Sequence, residues 1–351
     1  MSLLKYKVLV KEEEEKVHST VEQLFTVLNK TAEILQEELS CTYLEAAAET
    51  GENLFQGKIL QAELSELSSR RLEKEYKEIQ LDRFVNEEIR KAFQLVILKG
   101  MKNSAQPNHQ MTPDAVGLFI SYLVTKLTRN ERNISVLDPA IGSGNLLTTV
   151  LNQNNSKEIT SFGVDIDDLL LKLAYVSANL QRHSIQLFNQ DSLEQLYVDP
   201  VDLVISDLPV GYYPNDSGAE KFDLRSESGH SYAHHLFIEQ SMNHTKEGGY
   251  LLFLIPNSLF SSEQAPKLNQ FIKERAFIQG LIQLPISLFA NEKAAKSIFI
   301  LQKKGEKVVA PKQALLVNLP KFSNKEAMKN IIDQIDVWFK VEKNGQNGVR
   351  I

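Results

Sequence analysis

Four apolar runs each lead to an acid: "NISVLD" to Asp138, "ITSFGVD" to Asp165, "SIQLFNQD" to Asp191 and "VDLVISD" to Asp207. Such runs read as buried strands with a side-chain acceptor at each carboxyl end. After the first, "DPAIGSGNLL" supplies Gly142 and Gly144 for a tight turn and close backbone approach, and the helix behind it opens with free N–H groups. A phosphate loop would carry G-x-G-x-x-G or a Lys-Ser/Thr ending, and neither is present. The carboxylate of Asp138 would repel a pyrophosphate but suits an ammonium group. Asp165 stands where an acid can accept both ribose hydroxyls, and Asp191 where one can accept from an adenine amino group. Taken singly, each acid is more often a helix cap. Three at successive strand ends beside one glycine turn point to an adenosyl ligand with an amino group and a sulfonium, S-adenosylmethionine.

These acids need a sheet to bring them together. The four runs continue into "GGYLLFLIP", "FIQGLIQLP" and "KSIFILQKK", with helical segments at about Ser143–Asn152, Asp167–Gln181, Ser231–His244 and Gln264–Arg275. The alternation predicts an α/β fold, a doubly wound, mostly parallel sheet of seven strands. No full helix separates the last two runs, so an antiparallel edge strand is expected there. This α/β domain covers residues 105–304. A strand "ALLVNLP" and a helix near Asn324–Lys340 form an extension over 305–351.

Residues 1–104 read as an all-helical domain. Val17, Val21, Leu24, Leu28, Leu35 and Leu39 recur at helical spacing, and a second tract covers about Ser65–Lys99. A helical bundle packed on its own α/β domain accounts for this better than a nucleic-acid module. "GENLFQG" (Gly51–Gly57) is taken as a loop and "MKNSAQPNHQMTP" (Met101–Pro113) as the linker, after which Thr112 caps a helix with Pro113 in its first position.

Composition narrows the function classes. The 351 residues are 42% hydrophobic and 24% charged, as in globular proteins. One cysteine, Cys41, excludes a disulfide framework; with no apolar run long enough to cross a bilayer and no signal peptide read at the N-terminus, a cytoplasmic protein without membrane contact is expected. The net charge of −6 argues against strong general affinity for duplex DNA, although a local basic face is compatible with it.

"DPAIGSG", "GVDID", "NQDSL" and "SDLPV", in this order, resemble the class I S-adenosylmethionine-dependent methyltransferases. More closely, they are similar to the N6-adenine DNA methylases and the modification subunits of type I restriction systems. "TPDAVGLFISYL", "FIEQSMNHTKEGGYLLFLIPNSLF" and "LIQLPISLFANEKAAKSIFILQKK" extend the likeness over about Met111–Lys304. The resemblance implies that Asp138, Pro139, Ala140, Gly142 and Gly144 meet the methionine end of the cofactor, with Thr112 nearby. It places Asp165 and Ile166 at the ribose and adenine, and Asp191 with Ser192 at the adenine edge. It implies methyl transfer to adenine in DNA, and a specificity partner subunit or the N-terminal helices to choose the sequence. In that family the fourth strand ends in Asn or Asp, two prolines and an aromatic that stacks on a flipped base.

"SDLPVGYYP" departs from this quartet. Asp207 keeps the acceptor and Pro209 one proline; Leu208 replaces the other, leaving its carbonyl available, and Val210 replaces the aromatic. Base–aromatic stacking is worth about 1–3 kcal/mol, so its loss weakens binding roughly 5- to 150-fold without removing the acceptors. Tyr212 or Tyr213 is a candidate for the missing ring; alternatively both cover the sheet edge. Methyl transfer to RNA, protein or a small molecule, or cofactor binding without turnover, are the rival readings. His230, His234, His235 and Glu239 have a loose metal-like spacing but no H-E-x-x-H or cysteine, so no metal is expected. Lys303, Lys304, Lys307, Lys312 and Lys321 read as a solvated edge, and Asn215–Ser231 as a lid or a mobile loop.

Overall fold

The computed structural model describes residues 3–103 and 111–346, so the boundary read at residue 104 and the middle of the linker lie outside the described residues. The chain divides into two compact units by packing, not by chain order. Met1–Thr112 joins Gly142–Asn152 and Asp167–Ile185 in the first; the rest forms the second.

The first unit is helical: α1 (Leu3–Leu39), α2 (Tyr43–Gln56), α3 (Glu66–Lys77) and α4 (Asn86–Asn103), with the later α6 (Asn145–Gln153) and α7 (Asp168–Leu180). Leu24, Leu28 and Leu35 are buried, as their spacing requires, and Val21 and Leu39 pack against them; the side chain of Val17 lies outside the described residues. Two expectations are corrected. "GENLFQG" is the second half of α2, started by a capping box of Thr42 and Glu45 and ended by Gly57 at φ +67°. Gly51 sits inside that helix because α7 passes close: a Cβ there would lie 2.3 Å from the Val176 side chain. The tract from Ser65 to Lys99 is broken between Lys77 and Asn86 by a 3-10 turn at Leu81–Arg83, and Leu67 is exposed.

The second unit holds α5 (Asp114–Leu127), β1 (Asn133–Asp138), β2 (Glu158–Asp165), β3 (Ile185–Asn189, its first residue counted with the first unit), β4 (Val201–Asp207), α8 (Asp216–Ala219), α9 (Ala233–Asn243), β5 (Thr245–Pro256), α10 (Ala265–Arg275), β6 (Ala276–Gln283), β7 (Lys296–Lys303), β8 (Leu315–Asn318) and α11 (Lys325–Gln346). Pro113, not Thr112, is the cap of α5, so the proline stands one position earlier than expected. The strand order is β3-β2-β1-β4-β5-β7-β6-β8.

Eight strands form the sheet rather than seven. β8, the strand assigned to the extension, pairs parallel with β6 and takes the edge. β7 is antiparallel as expected but internal, between β5 and β6, and buried along its middle. An antiparallel strand there brings its first residue, Lys296, opposite Pro256 at the carboxyl end of β5. The last helix closes onto α5, where Asp336 accepts from Tyr122 at 2.6 Å and pairs with Lys126 at 2.7 Å.

Replacing Gly51 by valine should overpack the contact between α2 and α7 and cost about 1–3 kcal/mol of stability, measured by urea unfolding; an unchanged midpoint would mean the helices do not approach as described.

Candidate active site

Chain order reverses between β1 and β4, the switch point beyond which ligands sit in sheets of this kind. Asp138 ends β1 and is 1% exposed. Its Oδ1 accepts from the Ser206 hydroxyl of β4 at 2.8 Å and from the Ala140 amide at 3.1 Å. Burial pushes this carboxyl up to about 7, and the charges of Asp165 and Asp207 add to the rise; the two hydrogen bonds act against it. The strand tips thus carry a carboxyl that a neighbouring cation would ionise.

The tips of β1 and β3 are tied together. The Ser192 hydroxyl donates to the Pro139 carbonyl, and the Ser192 carbonyl accepts from Gln240 at 2.8 Å. Asp165 is half-buried, while Ile166 beside it is 71% exposed and offers an apolar face. Asp191 accepts from the Leu193 amide at 2.8 Å through one oxygen and from the Tyr213 hydroxyl at 2.6 Å through the other. Tyr213 is therefore buried support for Asp191, not a free ring; burial, with the Asp191 carboxylate, pushes its phenol well up.

Asp207 ends β4, and Lys296 Nζ lies 2.5 Å from its Oδ1. Leu208 is buried and its amide donates to Leu254, while Pro209 and Val210 are exposed. Tyr212 is exposed and stacks on Tyr232, centroids 4.9 Å apart and planes 15° from parallel. Gly211 and Tyr213 hydrogen-bond to Ala233 and Ser231, fastening both ends of the Asn215–Ser231 segment. Its middle is packed as well: Phe222 and Leu224 are buried, and the amides of Asp223 and Leu224 donate to Glu239 at 2.9 and 2.7 Å.

That use of Glu239 removes it from the metal-like set. Burial holds His234 at about 4 and His235 at about 3, so both rings are neutral near pH 7, and His230 lies on Asp216 at 3.0 Å.

The glycine turn following β1 in the chain belongs to the first unit. Gly142 (φ +53°) and Gly144 (φ +78°) are left-handed; beyond its two chain neighbours nothing lies within 4 Å of a Cβ built at Gly142, whereas one at Gly144 would lie 3.1 Å from the Cβ of Ala174. Thr112 is buried, and its carbonyl accepts from the Asn145 side chain at 3.2 Å. The acidic tips of the second unit suit a ligand that carries an ammonium, a sulfonium and ribose hydroxyls. Sequence reasoning missed Ser206 and Lys296. The second could be found: an antiparallel strand next to β5 must start where the parallel strands end.

Sheet order and acidic tips define a class I S-adenosylmethionine-dependent methyltransferase fold. The sequence model of a family described as N-6 DNA Methylase matches residues 96–344, and the chain belongs to that family; S-adenosylmethionine is its cofactor. A second model, the YtxK N-terminal helical domain, matches residues 22–101. The chain is 53% identical over 321 residues to protein YtxK of Bacillus subtilis, covering 91% of this chain and 98% of that one. A solved Listeria monocytogenes structure, assigned to the class I S-adenosylmethionine-dependent methyltransferases, is 50% identical with a TM-score of 0.86, over 92% of this chain and 99% of that one. The Type I restriction enzyme MpnII methylase subunit of Mycoplasma pneumoniae is 24% identical over 54% of this chain and 39% of its own length.

Asp138 makes stability depend on pH in a defined direction. Unfolded, it releases its proton near the usual carboxylate value; folded, it keeps it to about 7. Its contribution is therefore present at low pH and lost as pH rises between those values, by up to about 4 kcal/mol. Asp138→Asn should gain stability relative to wild type as pH rises from about 4 to about 7, read by urea unfolding across that range; a constant difference would contradict the buried acid.

Proposed function

We propose that this chain is an N-methyltransferase acting on the exocyclic amino group of a nucleobase, with adenine in DNA the preferred acceptor. The observation that supports it most is Asp207 at the tip of β4, next to the switch point and followed directly by the Leu208 carbonyl. An exocyclic amine is a poor nucleophile because its lone pair is delocalised into the ring. A carboxylate and a carbonyl that accept its two N–H bonds hold the nitrogen so that its lone pair faces the incoming methyl group. Bound S-adenosylmethionine supplies that methyl as an electrophile on its sulfonium. Asp138, Pro139, Ala140, Gly142, Gly144 and Thr112 are proposed to hold the methionine end. Asp165, Ile166, Asp191 and Ser192 are proposed for the adenosine, with Tyr213 fixing Asp191. The exposed Tyr212, backed by Tyr232, is the candidate platform for the base that Val210 cannot stack. DNA is the proposed partner, with sequence choice left to the helical domain or a partner subunit, and the cytoplasm the proposed location.

A second reading, cofactor binding without turnover, draws on one contact: Lys296 occupies an oxygen of Asp207 that an amine would need. Under the first reading the incoming amine displaces the lysine from Asp207. Incubation with methyl-labelled cofactor and DNA, RNA or cell lysate separates the two. Label in DNA adenine that falls at least about 100-fold in Asp207→Ala, with cofactor affinity within about threefold of wild type, is the expected result. Undiminished transfer by Asp207→Ala would remove the acceptor assignment. Cofactor binding with no label in any polymer, appearing only in Lys296→Ala, would favour the second reading.

A further inference from the structure

Arg90 on α4 is among the largest side chains with almost no exposure, at 1%. Its Nε and Nη2 donate to the two carboxylate oxygens of Glu87, one turn earlier, at 2.8 and 2.7 Å. Its Nη1 donates to Oδ1 of Asn145 at 2.7 Å. Asn145 is the first residue of α6, directly behind Gly144, and its Nδ2 donates to the Thr112 carbonyl at 3.2 Å. A guanidinium can only donate, so it fixes which end of the Asn145 amide faces it. The same Glu87 accepts at 3.2 Å from Asn152, near the far end of α6. One ion pair of the helical domain therefore grips both ends of the helix that carries the glycine turn. Burial alone would raise the Glu87 carboxyl, but the hydrogen bonds and charge of Arg90 outweigh it and hold it below its ordinary range.

A buried ion pair is a poor way to gain stability, because desolvation offsets most of the attraction and an apolar pair of similar volume does as well. What apolar side chains cannot do is orient an amide. We infer that Arg90 is a positioning residue for cofactor binding: through Asn145 it sets the turn at Gly142–Gly144 and the Thr112 main chain, making the helical domain part of the cofactor-binding apparatus. The inference rests on the cofactor reading of that turn and is independent of the methyl acceptor.

Calorimetry with S-adenosylhomocysteine on the full chain tests it. Glu87→Gln/Arg90→Met removes both charges of the pair together, and Asn145→Ala breaks the relay at the turn while Arg90 keeps Glu87. Each should raise Kd about tenfold, and the triple variant should be no weaker than the worse of the two, since the relay is one path. Leu72→Ala, in the helical core, should lower the melting temperature yet keep Kd within about twofold. Folded relay variants with wild-type Kd, additive losses, or a loss matched by Leu72→Ala would each overturn the inference. If Glu87→Gln/Arg90→Met fails to fold, Asn145→Ala alone decides. A wild-type chain that binds no S-adenosylhomocysteine would instead overturn the cofactor reading, and this inference with it.

Discussion

Holding the Asp138 carboxyl out of water is the constraint around which the strand tips are organised. A carboxyl that is 1% exposed and held by the Ser206 hydroxyl and the Ala140 amide is costly to ionise. Two further acids, Asp165 and Asp207, raise that cost. A cation beside this carboxyl would offset that cost, whereas a phosphate would add to it. Asp207 shows the alternative outcome: there the chain supplies its own cation, Lys296.

Strand tips were legible in the sequence because buried strands are apolar along their length and stop at a polar residue. Asp138, Asp165 and Asp207 each end a strand, as read, and Asp191 lies just beyond β3. Helix–loop distinctions were less legible. "GENLFQG" carries two glycines and looks like a turn, but Gly51 is set by the approach of α7, a tertiary fact with no local signal. The place of β7 was half legible: its direction followed from the missing helix before it, while its insertion between β5 and β6 depends on pairing across the sheet.

Site partners were legible only where they lie near their motif. Asp191 and Tyr213 are 22 positions apart, Ser206 and Asp138 are 68 apart, and Arg90 and Asn145 are 55 apart; no spacing rule spans such intervals. The second tyrosine of "SDLPVGYYP" proves to be a prop for the third acid, which links the loop that departs from the family quartet to the adenosine end of the proposed pocket. The departure at Val210 and the support that Tyr213 gives Asp191 are thus separate matters.

Titrating S-adenosylhomocysteine into the chain at about pH 6, 7 and 8 tests the central claim most directly, because Asp138 must surrender its proton to meet an ammonium group. Affinity should rise with pH over that range, with proton release visible as a dependence of the heat on buffer ionisation, and Asp138→Asn should abolish both. Binding that is independent of pH and of Asp138, or no binding at all, would contradict it.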